Sequence, residues 1–132
     1  MMQKRLHKLE GIKQEIGQPR LYGPPEAELT LIGWGSTCGP LKEAVDILQE
    51  EQTRANLLLL TEIWPFPADA VSSILRKSKH SLVVENNATG QMARLIRQET
   101  GLKVSGTILK FDGRPFSPAD ILGEVKKEVA QW

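Results

Sequence analysis

Short apolar runs alternate with longer amphipathic segments through most of the chain. Four of these runs predict strands, at Leu29–Gly33, Leu57–Leu60, Ser81–Val84 and Thr107–Phe111. The second run is apolar on both faces, as a strand buried between two helical layers must be. Alternation of this kind predicts a mostly parallel sheet with helices on each side.

Apolar residues recur at helical spacing between the strands and after the last one. The predicted helices run from Leu41 through Gln52, from Pro67, around Met92 to a stop at Gly101, and from Ser117 onward. The last helix has the clearest start. Ser117 is suited to the N-cap, Pro118 to the first helical position, and Asp120 completes a capping box.

The first 25 residues are more polar than the rest and form a separate arm. The pattern of residues 1–17 predicts a charged helix with a narrow apolar stripe. Gly17 and Pro19 are expected to end this helix. A Gly-Pro-rich connector follows to Pro25. The chain therefore divides into an arm, residues 1–25, and an α/β domain, residues 26–132. The arm is expected to dock on the edge of the domain or on another part of a larger protein.

Composition excludes several classes of function. With 17 basic and 16 acidic residues, the net charge of +1 gives no reason to expect nucleic acid or a membrane as partner. The N-terminus lacks the apolar core of a signal peptide, which predicts a cytoplasmic protein. One cysteine and two widely separated histidines provide no metal-ligand pattern, so neither a metal site nor a catalytic residue is predicted. Cys38 is expected to be a small buried side chain rather than a reactive thiol.

Polar loops are expected at the carboxyl ends of the strands, where open α/β sheets bind ligands. Two of these loops suggest an anion site on backbone N–H groups at helix starts, comprising Gly35, Ser36, Thr37, Thr89, Gly90 and Gln91. The first loop matches neither the P-loop nor the dinucleotide-binding fingerprint. A tight strand-to-helix turn capped by Ser36 or Thr37 is the preferred interpretation of the first loop, and the anion site stays open as the alternative.

Other residues in these loops suggest contacts with another protein. Trp64 and Phe66 lie between prolines, and rigid aromatics suit interfaces, although packing onto the domain's own core is an equal alternative. Glu85, Asn86 and Asn87 follow the third strand and are expected to hydrogen-bond to backbone or to a neighbouring domain. Arg114 follows the fourth strand and could bind a carboxylate or phosphate bidentately. It could equally pair with Asp112 or with an acidic residue of the next subunit, and the interface role is preferred.

Four segments resemble the C-terminal region of the alpha subunit of 2-oxoacid:ferredoxin oxidoreductases, the 2-oxoglutarate type above all. They lie in matching order over nearly the whole chain: Lys4–Gly11, Gly33–Thr37, Val84–Leu95 and Ile108–Phe116. The resemblance implies a fold like the C-terminal domain of transketolase, a three-layer α/β/α sandwich with a mixed sheet of about five strands. The fifth strand would be Arg20–Tyr22, antiparallel at an edge.

The resemblance also implies an activity that this chain cannot perform by itself. The family decarboxylates a 2-oxoacid oxidatively, forms an acyl-CoA and reduces ferredoxin, using thiamine diphosphate, magnesium, iron–sulfur clusters and coenzyme A. The thiamine motif and the cluster cysteines are missing here, so the chain is expected to bind no cofactor and to be a fragment or a separately encoded piece. Its implied partners are the remaining alpha-subunit domains, the beta subunit and, through the whole complex, ferredoxin.

Three functions follow from these observations. The first is a non-catalytic scaffold and interface domain of the oxidoreductase. The second is an anion- or coenzyme A-binding or regulatory module of the same enzyme. The third is the matching domain of another thiamine enzyme, such as a 2-oxoacid dehydrogenase or a transketolase. A homodimer through the aromatic loop and the N-terminal helix is a further option.

Overall fold

Five strands form one mixed sheet in the computed structural model, which describes residues 20–34, 38–60, 66–85, 90–109 and 116–130. The strands are β1 (Arg20–Tyr22), β2 (Ala27–Trp34), β3 (Ala55–Leu60), β4 (Ser78–Glu85) and β5 (Gly106–Leu109). Their order across the sheet is β1-β3-β2-β4-β5. Only β1 runs antiparallel to its neighbour, and the other pairings are parallel.

Four helices connect or follow the strands: α1 (Cys38–Glu50), α2 (Ala68–Arg76), α3 (Gln91–Thr100) and α4 (Pro118–Val129). The predicted capping box begins α4. The Asp120 N–H donates to the Ser117 hydroxyl oxygen over 3.1 Å, and the Ser117 N–H donates to the Asp120 carboxylate over 3.1 Å. No helix within the described ranges is long and apolar enough to cross a membrane.

The two faces of the sheet carry separate apolar cores. Leu31 and Leu57 point to the face covered by α1 and α4, and Ile32 and Leu58 point to the face covered by α2 and α3. All six residues of β3 are buried, because this strand has neighbours on both sides and helices on both faces. The predicted α/β sandwich with a mixed five-stranded sheet is confirmed.

Strand limits within the described residues differ from the predicted ones at six ends. β2 and β4 each end one residue later than predicted, at Trp34 and Glu85, and β3 begins two residues earlier, at Ala55. β2 begins at Ala27 and β4 at Ser78, two and three residues earlier than predicted, because their first residues pair with each other. Glu28 and Lys79 in these extensions are exposed and charged, so the hydrophobic pattern of the sequence does not include them in the strands. β5 begins at Gly106, one residue early, and its predicted end at Phe111 lies outside the described residues.

The connector before β2 is held to the sheet by a buried polar network. The Asn56 amide donates to the Pro24 carbonyl over 2.8 Å, and the Thr30 hydroxyl donates to the Asn56 side-chain oxygen over 2.6 Å. Gly23 has φ +109°, and a Cβ there would lie 3.2 Å from the Ala55 carbonyl oxygen. Residues 20–22 of the predicted arm are thus part of the sheet, and the predicted helix in residues 1–17 lies outside the described residues.

Candidate functional site

The carboxyl ends of the four parallel strands meet at one edge of the sheet, at Trp34, Leu60, Glu85 and Leu109. β2 and β4 are neighbours there, but the helices that follow them lie on opposite faces. Such a divergence is the topological switch point of an open α/β sheet, where ligand sites form. We call this region the carboxyl edge.

Glu85 is the most informative polar residue of the carboxyl edge. It ends β4 and is only 1% exposed. The Met92 N–H donates to Glu85 Oε1 over 2.6 Å, and the Ala93 N–H makes a longer bond of 3.4 Å to Oε2. These N–H groups belong to the first turn of α3, where helices have unpaired donors and a positive dipole end. Glu85 therefore caps a helix that begins six residues after it.

Gly90 allows this arrangement. It is the N-cap residue of α3, with φ 65° and ψ 42°, and it makes no side-chain cap. Left-handed backbone suits glycine, whereas another L-residue there costs about 1–2 kcal/mol. A Cβ at this position would lie 3.9 Å from Glu85 Oε2, so the restriction is conformational rather than steric. The cap that Gly90 cannot supply comes from Glu85.

The predicted anion site shares this helix terminus. Gly90 is buried and Gln91 is exposed on the first turn of α3, while Gly35, Ser36, Thr37 and Thr89 lie outside the described residues. Because the Glu85 carboxylate already binds the first-turn N–H groups, a second anion at α3 would meet both charge repulsion and occupied donors. Ligand binding at this site stays a prediction.

The predicted interface residues divide into two groups. Phe66 is 5% exposed and packs with Val71 in the core beneath α2, which is the self-packing alternative. Glu85 bonds to backbone, one of its two predicted kinds of partner. Trp64, Asn86, Asn87 and Arg114 lie outside the described residues, as does the Cys38 side chain. The interface roles of Trp64, Asn86, Asn87 and Arg114 stay predictions.

Two features of the fold are not specified by the hydrophobic pattern of the sequence. One is the bond from Glu85 to α3, for which the signal is an acidic strand end followed by a glycine in place of a capping side chain. The other is the pair Thr30 and Asn56, which are 0% and 1% exposed in otherwise apolar strands. Polar residues in a buried strand indicate partners, because unpaired polar groups are costly there.

The described residues offer no metal-binding arrangement. Within residues 20–34, 38–60, 66–85, 90–109 and 116–130, no three His, Cys, Asp or Glu side chains come together as ligands. The whole chain contains one cysteine, whereas a protein-bound iron–sulfur cluster takes four cysteine or histidine ligands. The residues of this chain thus do not fit a cluster.

A family model described as pyruvate:ferredoxin oxidoreductase core domain II matches residues 27–121. Among curated proteins, the chain is 35% identical over 130 residues to 2-oxoacid:ferredoxin oxidoreductase 2, subunit alpha, from Aeropyrum pernix. That match covers 96% of this chain and 20% of the relative. The chain spans about a fifth of the length of the 2-oxoacid:ferredoxin oxidoreductase alpha subunits that it matches.

Solved structures agree with this similarity. A 2-oxoglutarate:ferredoxin oxidoreductase from Magnetococcus marinus, with 2-oxoglutarate, coenzyme A and succinyl-CoA bound, matches 98% of this chain and 23% of that chain, with a TM-score of 0.86 and 30% identity. The alpha chain of a probable 2-oxoacid ferredoxin oxidoreductase from Thermoplasma acidophilum matches 86% of this chain and 98% of that chain, with a TM-score of 0.61 and 35% identity.

A third structure bears on the fold alone. A split-gene transketolase, described as an inactive beta4 tetramer, matches 84% of this chain and 41% of that chain, with a TM-score of 0.65 and 13% identity. The predicted likeness to a transketolase domain is confirmed at the level of the fold.

Proposed function

Because this chain belongs to the core domain II family of pyruvate:ferredoxin oxidoreductases, we propose that it is a scaffold and interface domain of a 2-oxoacid:ferredoxin oxidoreductase alpha subunit. The observation that carries the proposal is the match to the Magnetococcus marinus 2-oxoglutarate enzyme over 98% of this chain. On that basis 2-oxoglutarate is the proposed 2-oxoacid. The complete enzyme would form an acyl-CoA and reduce ferredoxin.

The role proposed for the chain is structural. Glu85, the buried carboxylate of the carboxyl edge, accepts two backbone bonds and fixes the start of α3. A general base instead needs a substrate proton within reach. Glu85 would therefore hold the loop of residues 86–89 at both ends, and the loop would meet the rest of the enzyme. Asn86, Asn87, Trp64 and Arg114 are the proposed contact residues.

The cofactors of the complete enzyme would belong to its other parts. Thiamine diphosphate with magnesium, the iron–sulfur clusters and the coenzyme A contacts are proposed for the remaining alpha-subunit domains and the beta subunit. These two are also the proposed partners of this chain, with ferredoxin meeting the assembled complex in the cytoplasm. A homodimer of this chain alone is a further proposal, and sedimentation of the purified chain would test it.

The direction of β1 supports the carboxyl edge as the surface that faces these partners. Arg20 pairs with Leu59, next to the carboxyl end of β3, and Tyr22 pairs with Leu57. Because β1 is antiparallel to β3, the chain before residue 20 joins the sheet on the side where the polar loops follow the strands. Any preceding segment of an alpha subunit would thus approach at the carboxyl edge.

Reconstitution tests the proposal. The chain is combined with the remaining alpha-subunit domains and the beta subunit, and 2-oxoglutarate-dependent reduction of ferredoxin in the presence of coenzyme A is measured. We expect no turnover by the chain alone, and turnover when all parts are mixed. The matched control omits only this chain. Equal turnover with and without the chain, or a stoichiometric mixture that fails to associate, would contradict the proposed role.

A further inference from the structure

The amino ends of the parallel strands meet at the edge of the sheet opposite to the carboxyl edge, which we call the amino edge. An open pocket of about 380 Å³ lies there, next to the end of α2. Four cations and two carboxylates among its lining residues leave a formal charge of +2, whereas the whole chain carries +1. We call it the basic pocket. Its lining residues are Glu26, Ala27, Glu28, Arg54, Arg76, Lys77, Ser78 and Lys79.

Tertiary structure brings the cations of the basic pocket together from three elements. Arg54 precedes β3, and its carbonyl accepts the Glu28 N–H over 2.9 Å, which ties it to the start of β2. Lys77 follows the last residue of α2, and its N–H donates to the Ile74 carbonyl over 3.2 Å. Lys79 belongs to β4. The backbone at each cation is therefore held by regular structure, and the four charges converge on rigid supports.

The end of a helix explains only part of this charge. Arg76 and Lys77 lie at the carboxyl end of α2, where the helix dipole favours cations in any protein. Arg54 and Lys79 belong to other elements, and the dipole of α2 gives no reason for them to line the same pocket. The combined charge therefore needs another explanation.

The described part of the chain does not neutralise these cations. Both ion pairs within it involve lysines of α4, Lys126 and Lys127, which are not among the four. Glu26 and Glu28 line the basic pocket without forming an ion pair to its cations within the described ranges. A cleft lined by an excess of one sign of charge focuses the electrostatic potential and raises the local concentration of the opposite ion.

We propose that the basic pocket binds a phosphate group. Arginine binds phosphate oxygens through two parallel hydrogen bonds, and lysine binds phosphate as a point charge. A phosphate group carries about −2 charge near neutral pH, which matches the surplus of the pocket. The pocket lies at the edge of the sheet opposite to the proposed interface, so this inference does not rest on the proposed function.

Titration of the full-length chain with inorganic phosphate, followed by amide NMR at constant ionic strength, tests the proposal. We expect saturable shifts of the Arg54, Ser78 and Lys79 amides, with half-saturation at about 1–10 mM. Sodium chloride is the control for screening, and it should not produce these shifts. Glycerol phosphate distinguishes the source, because tighter binding than inorganic phosphate would identify an ester and weaker binding the free ion. Either result agrees with the proposal.

Removal of single cations makes the test specific for the basic pocket. Arg54→Gln and Lys79→Gln each remove one charge from an exposed side chain, and each should weaken phosphate binding about 3- to 10-fold. Arg97→Gln makes the same change of charge on the exposed face of α3, outside the pocket. This matched control should leave the affinity unchanged. Equal affinities of all three variants and the wild-type chain would overturn the proposal.

A carboxylate of the same pocket provides a test of opposite sign. Glu26→Gln removes a negative charge beside the bound anion and should tighten phosphate binding about 2- to 5-fold. A gain of affinity is not produced by damage to the fold. Glu43→Gln, an exposed change on α1, is the control and should have no effect. Weaker binding in Glu26→Gln would contradict the proposal.

Three other results would also overturn the proposal. Shifts that grow without saturation, or that appear equally with chloride, would show screening of surface charge alone. Saturable shifts confined to the first turn of α3 would place the anion at the carboxyl edge instead. Succinate binding as tight as phosphate binding would show that the pocket accepts any divalent anion, which contradicts its assignment to phosphate.

Discussion

Glu85 illustrates how a single buried carboxylate can be structural rather than catalytic. Its position at a strand end, inside the switch point of an α/β sheet, is where acids and bases of enzymes often lie. Both of its oxygens instead accept N–H groups of α3. An ionised acceptor at a helix start forms stronger bonds than a neutral one and interacts favourably with the dipole. The residue thus fixes the start of α3.

Replacement of Glu85 should lower stability in proportion to the bonds lost. Glu85→Ala removes the acceptor of the buried Met92 N–H and of the half-buried Ala93 N–H, and it should cost about 2 kcal/mol in the free energy of unfolding. Glu85→Gln keeps an acceptor and should cost less. Urea unfolding followed by circular dichroism measures both. Glu99→Gln, an exposed change on the same helix, is the control and should stay within about 0.5 kcal/mol of wild type.

The reconstituted enzyme separates the structural role of Glu85 from a catalytic one. If Glu85 acts only as a cap, turnover with Glu85→Gln should remain near the wild-type value once binding is saturated. A loss of turnover by orders of magnitude in a fully assembled, folded complex would show that the carboxylate takes part in the chemistry.

The phenol of Tyr22, which contacts α1, is expected to titrate at a shifted pH. Its hydroxyl donates to Asp46 Oδ1 over 2.7 Å, and Lys42 Nζ lies 5.7 Å from the ring centroid. The hydrogen bond to Asp46, desolvation and the negative charge of Asp46 raise the pKa of the Tyr22 phenol above its ordinary value of 10.0. Since the folded pKa is the higher one, this stabilisation is complete below the unfolded pKa and is lost as pH rises through the folded pKa.

Because Tyr22 is the only tyrosine, phenolate absorbance follows this residue alone. We expect the midpoint of the folded chain to lie above that of the chain unfolded in urea. Asp46→Ala should move the folded midpoint towards the unfolded one, and Asp69→Ala, an exposed acid on α2, should not. Identical midpoints in the folded and unfolded chains would exclude the proposed effect of Asp46.

At the scale of elements, a three-residue edge strand depends on interactions far from it in sequence. β1 alone is too short to be stable in water. The turn after it is fixed by Asn56, whose amide bonds to Pro24, 32 residues away. Thr30, 26 residues from Asn56, donates to the same side chain and orients it. The network therefore joins the arm to the two central strands.

Loss of this network should loosen β1 selectively. Asn56→Ala removes both bonds and leaves the Pro24 carbonyl and the Thr30 hydroxyl without this partner, at a cost of about 2–4 kcal/mol. Thr30→Val removes one bond with little change of shape and should cost about 1 kcal/mol, whereas Thr30→Ser keeps the hydroxyl and serves as its control. Amide exchange at Leu21 and Tyr22 should accelerate more than exchange in β4. Uniform acceleration across the sheet would contradict a local role.

The hydrophobic pattern predicts most elements because their causes are local. The capping box of α4 needs only Ser117, Pro118 and Asp120 in sequence, and β3 needs only a continuous apolar run. The first residues of β2 and β4 escape this pattern, because Glu28 and Lys79 are exposed there while their backbones pair. Backbone pairing at the rim of a sheet requires no apolar side chain, so an apolar pattern ends before the strand does.

At the scale of the whole molecule, the two edges of the sheet differ in ways that no local pattern predicts. The loops can be assigned to the carboxyl edge from the strand order alone. The use of Glu85 as a cap depends on a left-handed glycine five residues later, and the apolar groove at the amino ends of β2 and β4 depends on how α1 and α4 converge. Both arise from tertiary packing. The sequence thus predicts the candidate interface only as a region, and both the region and its residues remain predictions.

We propose that the carboxyl edge is the surface by which this domain joins the rest of an oxidoreductase. Amide hydrogen exchange of the chain, alone and in complex with the remaining alpha-subunit domains and the beta subunit, tests it most directly. We expect protection on binding at the carboxyl edge, including the ends of β2 and β4 and the first turn of α3. We expect no change at the amino ends of β2 and β4. Protection confined to the amino edge, or none in a complex of demonstrated stoichiometry, would contradict the claim.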